Sequence, residues 1–161
     1  DIDRYAGTSS KVSQKVLCSE AAARGWDIAP TDISKAFLQG ETYKELAAIT
    51  GEPEREVNFY LPAHNISMLK QIPGWESFNP LAEVIHCDKP GTGSVDAPRA
   101  FSVKLKQLLT KDCQMDVCHC DNELLLCHKL LPGKSGSVSA TGQLLGLMTI
   151  HVDDLKLCGT K

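Results

Sequence analysis

The sequence predicts an α+β fold in which an antiparallel sheet packs against helices. Apolar residues recur at helical spacing in two segments, one near the N-terminus and one after Asp96. Short apolar runs bounded by Gly, Pro, Asn and Asp predict several strands. Because helices and strands do not alternate as regular βαβ units, the pattern favours antiparallel pairing over a doubly wound parallel sheet.

The length of 161 residues corresponds to one domain, or to a large part of one. No segment approaches the roughly 18 consecutive apolar residues that a membrane span needs. Nothing at the N-terminus resembles a secretory signal. The chain begins at Asp1 rather than Met and ends just after a predicted strand, so we expect a fragment of a longer protein.

The first predicted helix runs from Lys11 to Arg24, with Ser9-Ser10 as its cap and Gly25 at the C′ position. A strand follows at Trp26–Ile33, and Pro30 within it indicates an irregular or edge strand.

The middle of the chain is polar and rich in turn residues. It predicts a short helix at Tyr43–Ile49 and three extended segments. The extended segments are Val57–Leu61, Ser67–Ile72 and Val84–Cys87.

A second helix is predicted after Asp96, which is a good N-cap residue. Strands are then predicted at Glu123–His128 and Gln143–Val152, joined by a Gly/Ser-rich loop at 132–142. A last strand at Leu155–Cys158 completes a hairpin whose turn is Val152-Asp153-Asp154.

The adjacent carboxylates Asp153 and Asp154 lie between apolar runs. Aspartate favours turns, so a plain hairpin turn explains the pair by itself. However, two unpaired charges on a rigid hairpin repel each other and favour a bound cation, and carboxylate oxygens suit Mg²⁺. Asp32 ends another predicted strand, and if the two strands are neighbours, three carboxylates can hold two ions for phosphoryl transfer. The pattern alone does not establish that the strands are neighbours.

Seven cysteines, an odd number, favour reduced thiols in an intracellular compartment, and hence a cytoplasmic protein. A zinc site is the alternative use of the segment 113–128, although its spacing departs from the usual pairs of ligands. The candidate ligands are Cys113, Cys118, His119, Cys120, Cys127 and His128.

Five blocks, in the same order along the chain, resemble the reverse transcriptases of Ty1/copia-type retrotransposons. Residues 32–41 (DISKAFLQGE) resemble their D-V-K-x-A-F-L-x-G-E box, and residues 97–105 (APRAFSVKL) resemble their Q-A-P-R-A-W…K-L box. Residues 151–154 (HVDD) resemble their Y-V-D-D box. Residues 21–26 (AAARGW) match the segment before the first aspartate, and residues 121–126 (DNELLL) lie where the family has a D-x-x-L-F strand.

This resemblance implies a reverse-transcriptase palm with part of the fingers, acting as an RNA-directed DNA polymerase. It implies that Asp32, Asp153 and Asp154 ligate two Mg²⁺ ions, for which Mn²⁺ can substitute, with help from the carbonyl of Ile33. The implied partners are an RNA or DNA template–primer, deoxynucleoside triphosphates and the rest of the Pol polyprotein, in a cytoplasmic virus-like particle.

The resemblance also implies roles at the nucleotide and template. Phe37 is expected under the sugar of the incoming nucleotide, where its ring excludes a 2′-hydroxyl; the alternative is a core aromatic. Arg99 is expected at a template phosphate, or otherwise as an exposed helix arginine. Val152 is expected at the primer end, although a β-branched residue in a strand needs no such reason.

Two residues depart from the family pattern. Asp96 replaces a Gln that contacts the nucleotide, and because an acid is unfavourable beside a triphosphate, we expect Asp96 only to cap its helix. His151 replaces a Tyr, keeping a flat ring but losing the phenol, and simple structural tolerance is favoured.

The net charge of −3 gives no support for nucleic-acid binding by this segment alone. By the resemblance, the basic fingers hairpin, the thumb and the RNase H domain lie outside it, which accounts for the charge. The sequence therefore predicts a polymerase palm, with a folded but inactive retroelement relic as the alternative.

Overall fold

The computed structural model describes residues 6–129 and 142–160. These form two compact units: the sheet unit, which comprises the described residues up to Gly40 and from Gly91 onward, and a smaller unit, Glu41–Pro90. In chain order the elements are α1 (Lys11–Arg24), β1 (Ile28–Asp32), a 3₁₀ helix (Ala36–Gln39), α2 (Tyr43–Thr50), β2 (Asn58–Phe59), α3 (Ala63–Leu69), β3 (Ile85–His86), α4 (Ala97–Gln107), a π-helical turn (Leu108–Asp112), β4 (Asp116–Cys118), β5 (Asp121–His128), β6 (Leu144–His151) and β7 (Asp154–Gly159).

The sheet unit contains a five-stranded antiparallel sheet with strand order β1-β7-β6-β5-β4. The predicted α+β class and the packing of the sheet against helices are confirmed. β1 lies at the edge of the sheet. Pro30, which has no backbone N–H to donate, therefore does not interrupt the hydrogen bonding of a central strand. β4 was not predicted, since three residues are too few to give a periodic signal.

Helix α1 begins and ends where the sequence predicts. The Ser10 hydroxyl accepts a hydrogen bond from the Ser13 N–H at 3.1 Å, which satisfies one of the unpaired amides of the first turn. Gly25 takes the left-handed conformation, φ +67°, and donates to the carbonyls of the last turn. The helix lies against one face of the sheet through a cluster of small and aliphatic residues. This α1-side cluster is Leu17, Ala21, Leu124, Leu147 and Cys158.

Helix α4 covers the opposite face. The predicted apolar stripe is confirmed at Phe101, Leu105 and Leu109, which are buried together with strand residues. It is wrong at Leu108, which is 46% exposed. The α4-side cluster is Ala36, Phe101, Leu105, Leu109, Leu125, Ile150 and Leu155. The sheet is therefore covered on both faces, and in β5, β6 and β7 residues of opposite orientation pack against different helices.

Asp96 stands at the N-cap position of α4, but its side chain makes no capping hydrogen bond, so the expectation that it caps the helix is wrong. Its backbone is at φ −103°, ψ −3°, whereas a capping residue normally has extended backbone that directs its oxygen toward the N2 or N3 amide. Asp96 is buried instead.

In the smaller unit, Glu41–Pro90, the residues Tyr43, Leu46 and Phe78 are buried. Thr42 and Glu45 form a capping box at α2, and β2 pairs with β3. The prediction of an extended segment at Ser67–Ile72 is wrong, because its first residues end α3 and the rest form turns. A run this short does not distinguish strand from helix by its periodicity.

The predicted loop between β5 and β6 falls almost entirely within residues 130–141, outside the described residues, but the two strands do pair as antiparallel neighbours. Among the helices of the described residues, none has the length and apolar character to cross a membrane.

Candidate metal site at the tip of a hairpin

The sheet brings together the two strands that carry the predicted carboxylates. β1 pairs with β7, and in this register Asp32 lies directly opposite Asp154. Just beyond the ladder, the Ile33 N–H donates to the carbonyl oxygen of Asp153 at 3.4 Å. Opposed residues of an antiparallel pair project to the same face, so Asp32 and Asp154 share a face at one end of the sheet.

The hairpin between β6 and β7 turns in two residues, Val152 and Asp153, flanked by the pair His151 and Asp154. Val152 has φ +60°, in the left-handed region where Cβ crowds the backbone. A β-branched residue with positive φ is a genuine outlier, and such strain persists only where the surrounding structure holds it. Asp153 therefore lies in a strained turn, and Asp154 follows it as the first residue of β7.

The segment Gly7–Ser9 holds the tip of this hairpin from the β6 side. Thr8 forms an isolated antiparallel bridge with His151. The Ser9 N–H donates to the Ile150 carbonyl at 2.8 Å, and the Val152 N–H donates to the Gly7 carbonyl at 3.2 Å. Sequence reasoning missed this segment, because an isolated bridge carries no periodic pattern.

The three carboxylates lack partners within residues 6–129 and 142–160. No side-chain hydrogen bond or ion pair in those ranges involves Asp32, Asp153 or Asp154, and Asp32 and Asp154 are exposed. Like charges directly opposite each other in a sheet are destabilising, so a cation between Asp32 and Asp154 would be favourable.

The donor chemistry fits Mg²⁺, which prefers carboxylate oxygens at about 2.1 Å and keeps several waters. In the described part of the chain, however, no group of three or more His, Cys, Asp or Glu side chains is arranged to hold a metal ion. Opposed Cβ atoms in an antiparallel pair lie about 5 Å apart, so side-chain rotation is enough to bring Asp32 and Asp154 to one ion. The register thus places Asp32 and Asp154 close together, but the side chains of the described residues are not already arranged as a set of metal ligands.

A cavity of about 160 Å³ adjoins Asp154 on the α1 side of the sheet. His151, predicted to replace a tyrosine, lies on its wall and is exposed. The cavity is lined by Ser9, Gln14, Thr149, His151, Asp154 and Lys156.

The other predicted site residues lie at different places. Phe37, in the 3₁₀ helix, is partly buried and packs against the α4-side cluster, as the core-aromatic alternative anticipates. Arg99 lies in the first turn of α4 and is partly buried. Contacts of Phe37, Arg99 and Val152 with nucleotide, template or primer remain predictions.

The cysteine-rich segment behaves as part of the sheet. None of the seven cysteines, all within the described ranges, forms a disulfide. His128 Nδ1 lies 3.0 Å from Asp116 Oδ2, which joins β5 to β4. Among the described residues, no zinc-type cluster of side chains lies between Cys113 and His128.

Two further carboxylates, both missed by sequence reasoning, are bound by groups of the protein itself. Asp121 Oδ2 accepts from the Ser10 N–H at 2.8 Å and the Ser13 hydroxyl at 2.5 Å, and Oδ1 accepts from the Glu123 N–H at 2.9 Å. Burial alone would raise the pKa of Asp121, but hydrogen bonds from Ser13, Ser10 and Glu123 lower that pKa to about 2.

The second is Glu123, whose Oε1 lies 2.5 Å from Lys106 Nζ. Its side chain is only 2% exposed, whereas that of Lys106 is 30% exposed. The signal for Glu123 was present in the sequence, since a lone glutamate precedes three leucines in β5. A carboxylate among buried residues needs a cationic partner.

Comparisons with known proteins give no match to this chain, whether with family models, curated proteins or solved structures.

Proposed function

We propose that this chain forms the metal-binding floor of an RNA-directed DNA polymerase, a reverse-transcriptase palm of the Ty1/copia type. The observation that carries the proposal is the register that sets Asp32 opposite Asp154, beside Asp153 in a strained turn. The five resembling blocks add the expectation that these three aspartates are the catalytic carboxylates.

In this proposal Asp32, Asp153 and Asp154 hold two Mg²⁺ ions. Bound there, the ions would supply the Lewis acidity for attack by the primer 3′-hydroxyl and for departure of pyrophosphate in an in-line displacement. The contribution of the chain is to position these carboxylates. The β1–β7 ladder sets the distance between the backbones of Asp32 and Asp154, and the turn fixes the backbone of Asp153. Rigid placement of ligands is the main contribution of a protein to phosphoryl transfer.

The first test is stabilisation by metal. Because ion binding relieves repulsion only in the folded chain, Mg²⁺ or Mn²⁺ is expected to raise the melting temperature of wild type. Asp153→Asn is expected to remove most of that rise. Thermal melts with metal and with EDTA measure both, and Ca²⁺ reports on general charge screening. Equal shifts in the two proteins would contradict a metal site at this hairpin.

The second test is primer extension on poly-rA/oligo-dT by the full-length protein beside its Asp32→Asn variant. Polymerase activity is expected in wild type, with a loss of at least about a hundredfold in the variant, as for removal of groups that stabilise transition-state charge. If wild type binds metal but both proteins are equally silent, the inactive relic replaces the polymerase.

A further inference from the structure

The strained turn at Val152 is anchored through a chain of contacts that begins in a helix. The Val152 N–H donates to the carbonyl of Gly7, and Gly7 itself is buried. A Cβ built on Gly7 would overlap the carboxylate of Glu123, so the backbone of residue 7 lies directly on that side chain. The φ of Gly7 is not in the left-handed region, and close approach rather than conformation makes glycine necessary here.

Glu123 has little freedom to move away. It is 1% exposed as a residue, and Lys106 Nζ holds its Oε1 at 2.5 Å. Its other oxygen, Oε2, is buried and accepts no hydrogen bond from any group in the described ranges. Among the described residues, Lys106 is therefore the group that holds this carboxylate in place.

From these contacts we propose that Lys106, Glu123 and Gly7 are positioning residues for the hairpin tip. Lys106 fixes the Glu123 carboxylate, the carboxylate forms the surface on which Gly7 rests, and the Gly7 carbonyl holds the Val152 amide. Only glycine at position 7 allows this packing. The consequence for metal affinity rests on the function proposed above, whereas the consequence for the Val152 amide does not.

The variant that tests this is Gly7→Ala, with Gly91→Ala as the matched control. A Cβ built on Gly91 meets no atom within 4 Å, and the φ of Gly91 is not in the left-handed region. The control therefore adds the same methyl group without a clash.

Amide hydrogen exchange at Val152 is the direct readout. Gly7→Ala is expected to speed exchange at Val152 and Ser9 by at least about tenfold while the amides at the centre of the β5–β6 ladder change little. Unchanged exchange at Val152 in Gly7→Ala would overturn the proposal.

If Gly7→Ala does not fold, Glu123→Gln provides the same test with the shape retained and the ion pair removed. Faster exchange confined to Val152 and Ser9 supports positioning, and a uniform increase across the sheet contradicts it. Mn²⁺ titration of the same proteins separates the two proposals. If wild type does not bind Mn²⁺ but the exchange pattern holds, the metal site fails and the positioning role stands.

Discussion

Two groups of carboxylates in the same sheet differ in whether the described residues give them hydrogen-bond or ion-pair partners. In β5, Asp121 accepts three hydrogen bonds, and Glu123 forms an ion pair with Lys106. At the tip of the β6–β7 hairpin, Asp153 and Asp154 lie beside Asp32 with no such partners among the described residues. Carboxylates that serve the fold are neutralised by the chain itself, so those left without partners at a strained turn are the ones available to an external cation.

The largest expected effect concerns the buried pair. Lys106→Ala leaves the Glu123 carboxylate buried without a cation and is expected to lower the free energy of unfolding by about 3 kcal/mol. Urea unfolding measures this, and Lys111→Ala, which removes an exposed lysine from the neighbouring π-helical turn, is the control. Equal, small losses in both variants would show that the chain does not depend on this pair.

The second effect is a pH dependence carried by Asp121. Because its pKa is lowered from 3.8 to about 2 in the folded chain, the unfolded chain takes up the proton first as pH falls. Its stabilisation, about 1–2 kcal/mol, is present above about pH 4 and is lost toward about pH 2. Asp121→Asn is expected to flatten the wild-type slope in that window.

Urea midpoints for both proteins across this range measure the difference. Parallel curves would contradict the role of Asp121 as a bound carboxylate. Ser13→Ala, which removes one donor and leaves the charge, is expected to fall between them.

The smallest effect has the opposite sign. In EDTA at low salt, Asp32→Asn is expected to stabilise the chain by about 0.5 kcal/mol, because it relieves repulsion across the β1–β7 pair. A double-mutant cycle with Asp154→Asn isolates the pairwise term. Additive effects of the two substitutions would show that the two carboxylates do not interact. The hairpin tip would then not be a site of charge repulsion, contrary to the contrast drawn above with Asp121 and Glu123.

Much of the fold could be predicted because local signals agree with one another. Helix α1 has its serine cap and its terminal glycine in sequence, and each acts within a few residues. Its predicted apolar stripe holds only in part, because Leu17 and Ala21 are buried whereas Val12 and Val16 are exposed. The hairpin that bears Asp153 and Asp154 was predicted for the same reason, since short apolar runs flank a polar pair. Ser67–Ile72 and Asp96 were predicted wrongly where a short pattern or a residue preference was weaker than the local backbone conformation.

The sequence by itself determined the elements and the residue types at their ends, including a carboxylate at the end of β1 and two more at the β6–β7 turn. Only the tertiary structure decided that β1 and β7 are neighbours in the register that opposes Asp32 to Asp154. It also decided that Gly7 must lie against Glu123, more than a hundred residues away. Such pairings depend on how strands assemble and on which side chains are buried together, and no local pattern of residues encodes either.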